Sequence, residues 1–459
     1  MTARQKLHLA FHLTTAAVFL VAAAFAAWRA SSDPELVAPG KVCLTVGLFA
    51  LVSSAFYRAE RLSRWSMGLG VSVWAVLFAL AAGELFFRLI GYDFRRAAPR
   101  LERVAPYYRR PTVPTGSVFF RRRGPQVWRG KPLRSVLLAM GYDPGPARGE
   151  PTITLRYDAD GFRNEAGLKD WEIAVAGDSF VELGVLPYEK LFTSRLAQLT
   201  GRRARNLGVS HTGPWSYLHF LKAYGRSPSL RVVVAVFYEG NDLSDLTREE
   251  AALERWRGAG KRPRRDWKGR KQTSLVAALL DWSLKLPSPF HRRVRLLPDA
   301  LWPGPRGEEP VTLNDMPPQP AIVTEKRKGW LREWLRAFGA WASDNRLIPW
   351  VVYMPAKGRV LWGKARLTPR GRERWDDWHA ADLAGWMAVA CAQAGVRFLD
   401  LTPALCKASQ PGRPLLYSAM GDTHLNARGA ELVARELARA LREGENKPTL
   451  RSSAGKAGQ

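Results

Sequence analysis

Trp171–Val181, WEIAVAGDSFV, is the stretch whose reading decides the fold. Its apolar run Ile173–Ala176 breaks abruptly into Gly177-Asp178-Ser179, and after Pro187 the helix-like YEKLFTSRLAQLT follows. That pattern predicts a strand, a tight turn and a helix, with a serine at the turn. A serine so placed has its hydroxyl at the carboxyl edge of a sheet and its N–H pointing as in a first helical turn, where negative charge is welcome. One residue then offers both a nucleophile and an oxyanion donor. Read alone, Gly-Asp-Ser is more often a cap on an ordinary helix. What lies downstream reverses that preference.

Strand and helix alternate from there on. Ala204–Val209 (ARNLGV) reads as a short strand ending in Gly208. Leu230–Tyr238 (LRVVVAVFY) is a continuous apolar, β-branched run of the kind buried on both faces, and it ends in Glu239-Gly240-Asn241-Asp242. Ile348–Met354 and Val396–Leu401 repeat the pattern, preceded by the helical segments Glu325–Ser343 and Arg372–Ala394. The alternation predicts an α/β fold with a mainly parallel sheet, helices on both faces, and function gathered at the strands' carboxyl ends. Ser179, Gly208 and Asn241 each fall at such an end. Near the carboxyl terminus, GDTHLN (Gly421–Asn426) precedes the amphipathic helix ARGAELVARELARAL, with Ala430, Val433, Leu437 and Leu441 on one face. Packing that helix on the sheet would bring His424, with Asp422 two residues before it, against the serine. His211 and His219 flank the second block and read as packing or capping residues, His211 with a secondary claim as a substrate contact.

GDSF, NLGVS, EGND and DTHLN, in this order and at these strand ends, resemble the four blocks of the SGNH (GDSL-type) hydrolase superfamily, over Trp171 to about Leu441. The chain as a whole is similar to membrane-anchored bacterial members of that group. The resemblance implies a three-layer flavodoxin-like sheet with helices on both faces and no cofactor. It further implies Ser179 as nucleophile, His424 as general base, Asp422 as its orienter, and an oxyanion hole made by the N–H groups of Ser179 and Gly208 with the Asn241 side chain. MPAKGRVLW resembles a lysine-bearing loop of such proteins, which makes Lys357 a substrate-contact candidate. One departure stands out: most relatives place the acid three residues before the histidine, where this chain has Gly421. Some relatives in envelope polysaccharide O-acetylation share the shorter spacing. The implied activity is that of a membrane-anchored serine esterase or O-acyltransferase. It would act through an acyl-Ser179 intermediate on an ester, an O-acetyl group of an envelope glycan or lipid. The alternative is a catalytically idle domain of the same fold that binds an anionic polymer or a partner at the membrane.

The amino-terminal part is of another kind. Three uncharged runs predict transmembrane helices at 9–28, 42–57 and 65–83, within a membrane anchor spanning 1–96. A cleaved signal peptide is the rival for the first run, since Arg4 and Lys6 precede it. Arg58, Arg61 and Arg64 in the second loop favour a multi-pass arrangement with the catalytic domain outside the cytoplasm, in the periplasm; Arg88, Arg95 and Arg96 after the third run pull the other way. Residues 97–170 read as a basic Pro/Gly-rich linker with a lead-in strand, 171–442 as the hydrolase-like domain with an insertion at 245–320, and 443–459 as a disordered tail. The insertion interleaves basic residues with Trp256, Trp267, Trp282 and Trp302, which fits a lid or a membrane contact before nucleic acid. Net charge is +29 over 459 residues. That balance suits anionic partners or an Arg-rich solvated surface, and no nucleic-acid motif accompanies it. The three cysteines, Cys43, Cys391 and Cys406, have no metal-ligand spacing.

Overall fold

The computed structural model describes residues 1–29, 37–89, 112–115, 118–139, 142–258 and 295–445. They fall into two compact units, Met1–Ala98 and the described chain beyond it.

The second unit is built on five strands: β1 (Ile173–Gly177), β2 (Ala204–Gly208), β3 (Val232–Tyr238), β4 (Ile348–Met354) and β5 (Arg397–Asp400). Their spatial order is β2-β1-β3-β4-β5, and every neighbouring pair is parallel. This is the expected α/β sheet of flavodoxin-like order, whose ligand crevice lies at the carboxyl ends where the winding reverses between β1 and β3. The apolar run of β3 is explained by two cores rather than one. Val232, Val234, Val236 and Tyr238 pack with Ile173 and Val175 under the carboxyl-terminal helix Ala427–Glu445, through its Ala430, Val433, Leu437 and Leu441. Val233, Ala235 and Phe237 pack on the other face against helices Pro214–Tyr224, Glu325–Asp344 and Leu383–Gln393. Each valine, leucine, isoleucine or phenylalanine among them contributes about 1.5–3 kcal/mol on full burial, so a polar replacement on either face is costly.

Residues 97–170 are folded where they are described. The lead-in strand forms at Ile153–Tyr157 and pairs antiparallel with Gln126–Gly130, while Thr112–Pro114 pairs with Phe120–Arg122. Short strands rich in arginine carry little apolar periodicity, which is why this part read as a linker. The expected insertion begins inside helix Asp242–Gly258 and ends in an antiparallel hairpin, Ala300–Gly304 with Gly307–Val311, extended by Arg366–Leu367. Trp302 is not an interface residue: it is fully buried in the first core, and its Nε1 donates to the Arg413 carbonyl at 2.8 Å. Trp267, Trp282 and residues 446–459 of the tail lie outside the described residues.

In the first unit, helices Ala3–Arg29, Val37–Ser54 and Glu60–Leu89 cover the three apolar runs. Among the described residues one segment, Ala3–Ala24, is long and apolar enough to cross a membrane; Arg64–Leu80 is apolar but shorter. Polar pins join these helices, with His8 Nε2 at 2.9 Å from the Ser53 carbonyl and Trp74 Nε1 donating to Thr15 Oγ1 at 3.0 Å.

Candidate active site

β1 ends at Gly177, and the chain turns at once into a single helical turn, Ser179–Glu182. Only glycine fits at 177, because a Cβ there would stand 2.3 Å from Val181 Cγ2. Asp178 closes the turn: its carboxylate accepts the Phe180 amide at 2.8 Å and the Ser179 hydroxyl at 3.2 Å. Burial raises the Asp178 carboxyl above its ordinary range, against the pull of the Phe180 amide and of His424.

His424 Nδ1 lies 2.6 Å from Asp422 Oδ1. The two-residue spacing brings the two side chains together in a loop that is not helical. The loop is fastened by the Ser418 amide donating to the His424 carbonyl at 2.8 Å. Burial alone would raise Asp422, but the charge and hydrogen bond of His424, helped by Ser418 and Lys357, outweigh it and draw the carboxyl down to about 2. Burial alone would lower His424; the charge and hydrogen bond of Asp422, then Asp178 and Asp315, reverse that, and its pKa is raised. An ionised Asp422 places the imidazole proton on Nδ1 and leaves the lone pair on Nε2. Nε2 is buried and has no hydrogen-bond partner among the described residues.

Of the two chain neighbours of Ser179, Phe180 packs against this imidazole, with ring centroids 4.9 Å apart, and the buried Asp178 lies in its field. The turn that carries Ser179 and the Asp422–His424 pair therefore lie beside one another. In this resting arrangement the Ser179 hydroxyl faces Asp178, and rotation about its Cα–Cβ bond is the motion that exchanges that partner for another. Catalytic hydrogen bonds commonly tighten only with substrate present.

Of the expected oxyanion donors, Asn241 follows β3 and uses one N–H on Asp245 Oδ2 at 3.1 Å, which leaves its second N–H to give. Gly208 does not fit its expected role. Its amide donates to Asn206 Oδ1 at 2.8 Å, and its missing side chain serves packing, since a Cβ there would lie 2.2 Å from the Glu182 amide nitrogen. Further along the loop, the Val209 amide is bound to the Gly177 carbonyl and the Ser210 amide to Glu182 Oε2. The next amide, that of His211, has no acceptor among the described residues, and His211 holds a left-handed backbone with φ 65°. Its exposed ring lies in the field of Arg122, Glu182, Arg248 and His424.

Lys357 is not a substrate contact. It is fully buried, and Nζ donates to the carbonyls of Ser418 at 2.9 Å, Ala419 at 3.4 Å and Asp422 at 2.8 Å. Burial lowers its pKa to about 8 in spite of Asp422, Asp315 and Asp299 nearby. A residue the sequence did not single out is Asp315, in the loop after the hairpin. It is held at φ 52° and lies in the field of His424, Lys357, Asp422 and His211. The Asn314 carbonyl beside it accepts the Thr423 hydroxyl at 3.3 Å, which ties this loop to the His424 loop. No motif surrounds Asp315, so nothing in the sequence marks it. Among the described residues no group of three or more His, Cys, Asp or Glu could hold a metal ion.

The strand order, the serine after β1, the asparagine after β3 and the Asp-x-His before the last helix define an SGNH-type domain, a class of acyl hydrolases and acyltransferases. Residues 348–457 match the family described as SGNH hydrolase-like domain, acetyltransferase AlgX. Among solved structures, a lipolytic protein of the G-D-S-L family from Desulfitobacterium hafniense DCB-2 is 12% identical, with 59% of this chain and 99% of that chain covered at a TM-score of 0.31. A second solved structure is also 12% identical, with 60% of this chain and 97% of that chain covered at a TM-score of 0.27. A search of curated proteins gave no match.

Proposed function

We propose that this chain is a membrane-tethered serine esterase or O-acyltransferase that works on an O-acetyl ester of an envelope glycan or lipid. The observation that carries the reading is the 2.6 Å Asp422–His424 pair, with an unpartnered Nε2 beside the Ser179 turn. His424 Nε2 takes the hydroxyl proton as Ser179 Oγ attacks the ester carbonyl carbon, and the displaced electron pair moves onto the carbonyl oxygen. The amides of Ser179 and His211 and the free N–H of Asn241 receive that oxyanion, each donor lowering the barrier by about 2.7–4 kcal/mol. Collapse expels the alkoxide, which takes the proton back from His424, and leaves acyl-Ser179. Water then gives an esterase and a sugar hydroxyl gives a transferase, with His424 again as base. Asp178 and Asp315 add to the negative field that favours the imidazolium.

The acetyltransferase in the matched family's description supports acetyl as the acyl group. The Ala3–Ala24 helix supports a tether. The two further helices complete a multi-pass anchor in this reading, with the catalytic unit on the extracytoplasmic side. A fluorophosphonate probe tests the chemistry: wild type takes one label and Ser179→Ala none. An unlabelled wild type would favour the idle, polymer-binding domain instead.

A further inference from the structure

We infer that Arg122 and Glu182 form a buried brace that positions the Ser210–His211 loop, so that the segment before the hydrolase-like domain is part of the catalytic unit. The inference rests on the acyl-transfer reading of Ser179 and adds two positioning residues to it.

Glu182 lies three residues after Ser179 on the same helical turn and is fully buried. Its carboxylate is saturated. It accepts Arg122 Nε at 3.2 Å and Nη2 at 3.1 Å, the Tyr157 hydroxyl at 2.6 Å, the Ser210 amide at 2.6 Å and the Ser210 hydroxyl at 2.5 Å. Arg122 and Tyr157 come from strands Phe120–Arg122 and Ile153–Tyr157, ahead of the sheet. A carboxylate taken wholly out of water persists as an anion only with a cation and donors around it, and here Arg122 supplies the cation.

A brace that merely glued these strands to the sheet could be apolar, since well-packed hydrophobic residues replace buried ion pairs at little cost. The identity of the third partner argues for more. Ser210 is fixed twice, through N and through Oγ, which pins the Cα from which the His211 amide departs. His211 is left-handed, a conformation that a non-glycine residue leaves unless its surroundings hold it. The same carboxylate sits on the nucleophile's own turn. Glu182 thus fixes the spacing between Ser179 and the His211 amide, which has no acceptor among the described residues.

The test uses the full chain in detergent, with fluorophosphonate labelling rate and p-nitrophenyl acetate turnover as readouts. Arg122→Met should slow labelling and lower kcat 10- to 100-fold while KM stays within about twofold, because the change reaches the oxyanion and not ester binding. Arg122→Lys keeps the charge without the paired geometry and should recover part of the rate; Ser210→Ala should fall between it and wild type. If Arg122→Met does not fold, Arg122→Lys and Ser210→Ala decide alone. A labelled wild type with all folded variants labelling at the wild-type rate would overturn this inference only, as would losses confined to KM. An unlabelled wild type would overturn it together with the acyl-transfer reading.

Discussion

The two loops that flank Ser179 are held by buried charges of opposite sign, and they differ in how those charges are balanced. On the side of the second block, an anion, Glu182, collects an amide and a hydroxyl from Ser210 and is paired directly with Arg122. On the side of the base, a cation, Lys357, collects three carbonyls from the loop that carries Asp422 and His424. No carboxylate among the described residues makes an ion pair with Lys357; Asp422, Asp315 and Asp299 reach it only through the field. The donor loop therefore has a brace with its own counter-ion, whereas the base loop has one that burial has brought to a pKa of about 8. Loops of irregular backbone cannot order themselves by hydrogen-bond ladders, and a single buried charge that gathers several backbone groups does that work instead.

The largest expected effect tests whether the base loop's purpose is the Asp422–His424 pair. Asp422→Asn should lower kcat about 10⁴-fold, because the amide favours the wrong imidazole tautomer. The pH profile carries a second sign. His424 must be neutral to act, so the wild-type rate should rise with pH through a pKa above 6.5, the direction in which Asp422 moves it. Without that carboxylate, burial is the stronger influence and the residual activity should keep its acid limb at lower pH. A variant with full activity, or an acid limb that does not move, would assign the orienting role to Asp178 or Asp315.

Lys357→Met comes next and tests the contrast itself. Loss of three donors to the His424 loop should lower kcat about tenfold or more. Stability gives the sharper readout. Lys357 has a folded-state pKa of about 8, below the 10.5 of an unhindered lysine. Between those values the unfolded chain binds the proton and the folded chain does not, so folding gains as pH rises. Wild type should gain on Lys357→Met by up to about 3 kcal/mol from pH 8 to 10.5 in urea unfolding. Parallel curves would mean that Lys357 is as well balanced as Glu182.

The comparison also shows what a sequence discloses. LRVVVAVFY was legible as a two-faced central strand because both of its faces meet apolar cores, and the helix at Ala427–Glu445 because its apolar face recurs at helical spacing. Asp422 and His424 were legible because their partnership is local. The engagement of the Gly208 amide was not, since a side chain two residues back, Asn206, competes for it without leaving any pattern. Arg122 and Glu182 lie 60 residues apart and belong to no common period, so only the folded chain brings them together. Trp302 read as an interface residue because tryptophan serves cores and surfaces alike, and its pattern in sequence does not tell the two apart.

The smallest effect asks whether Arg122 is what sets Glu182 apart. Glu249, on helix Asp242–Gly258, also gathers backbone donors: the amides of Gly213 and Trp215 at 2.9 Å, that of Ser216 at 3.3 Å, and the Ser216 hydroxyl. It thereby caps helix Pro214–Tyr224, just beyond the His211 loop. No cation among the described residues pairs with it, and burial raises its pKa to about 7 against the pull of those bonds. A carboxyl whose folded pKa lies above its unfolded value contributes stability that is full below about 4.5 and is lost as pH rises through about 7. Glu249→Gln cannot ionise, so wild type should lose about 1 kcal/mol relative to it between pH 4.5 and 7.5, the full shift being reduced because the side chain is partly exposed. Thermal unfolding of both proteins across that range is the measurement. A wild type that keeps pace with the variant would show that amide donors alone can balance a buried carboxylate in this fold, and that Arg122 matters for where it holds Glu182 rather than for its charge.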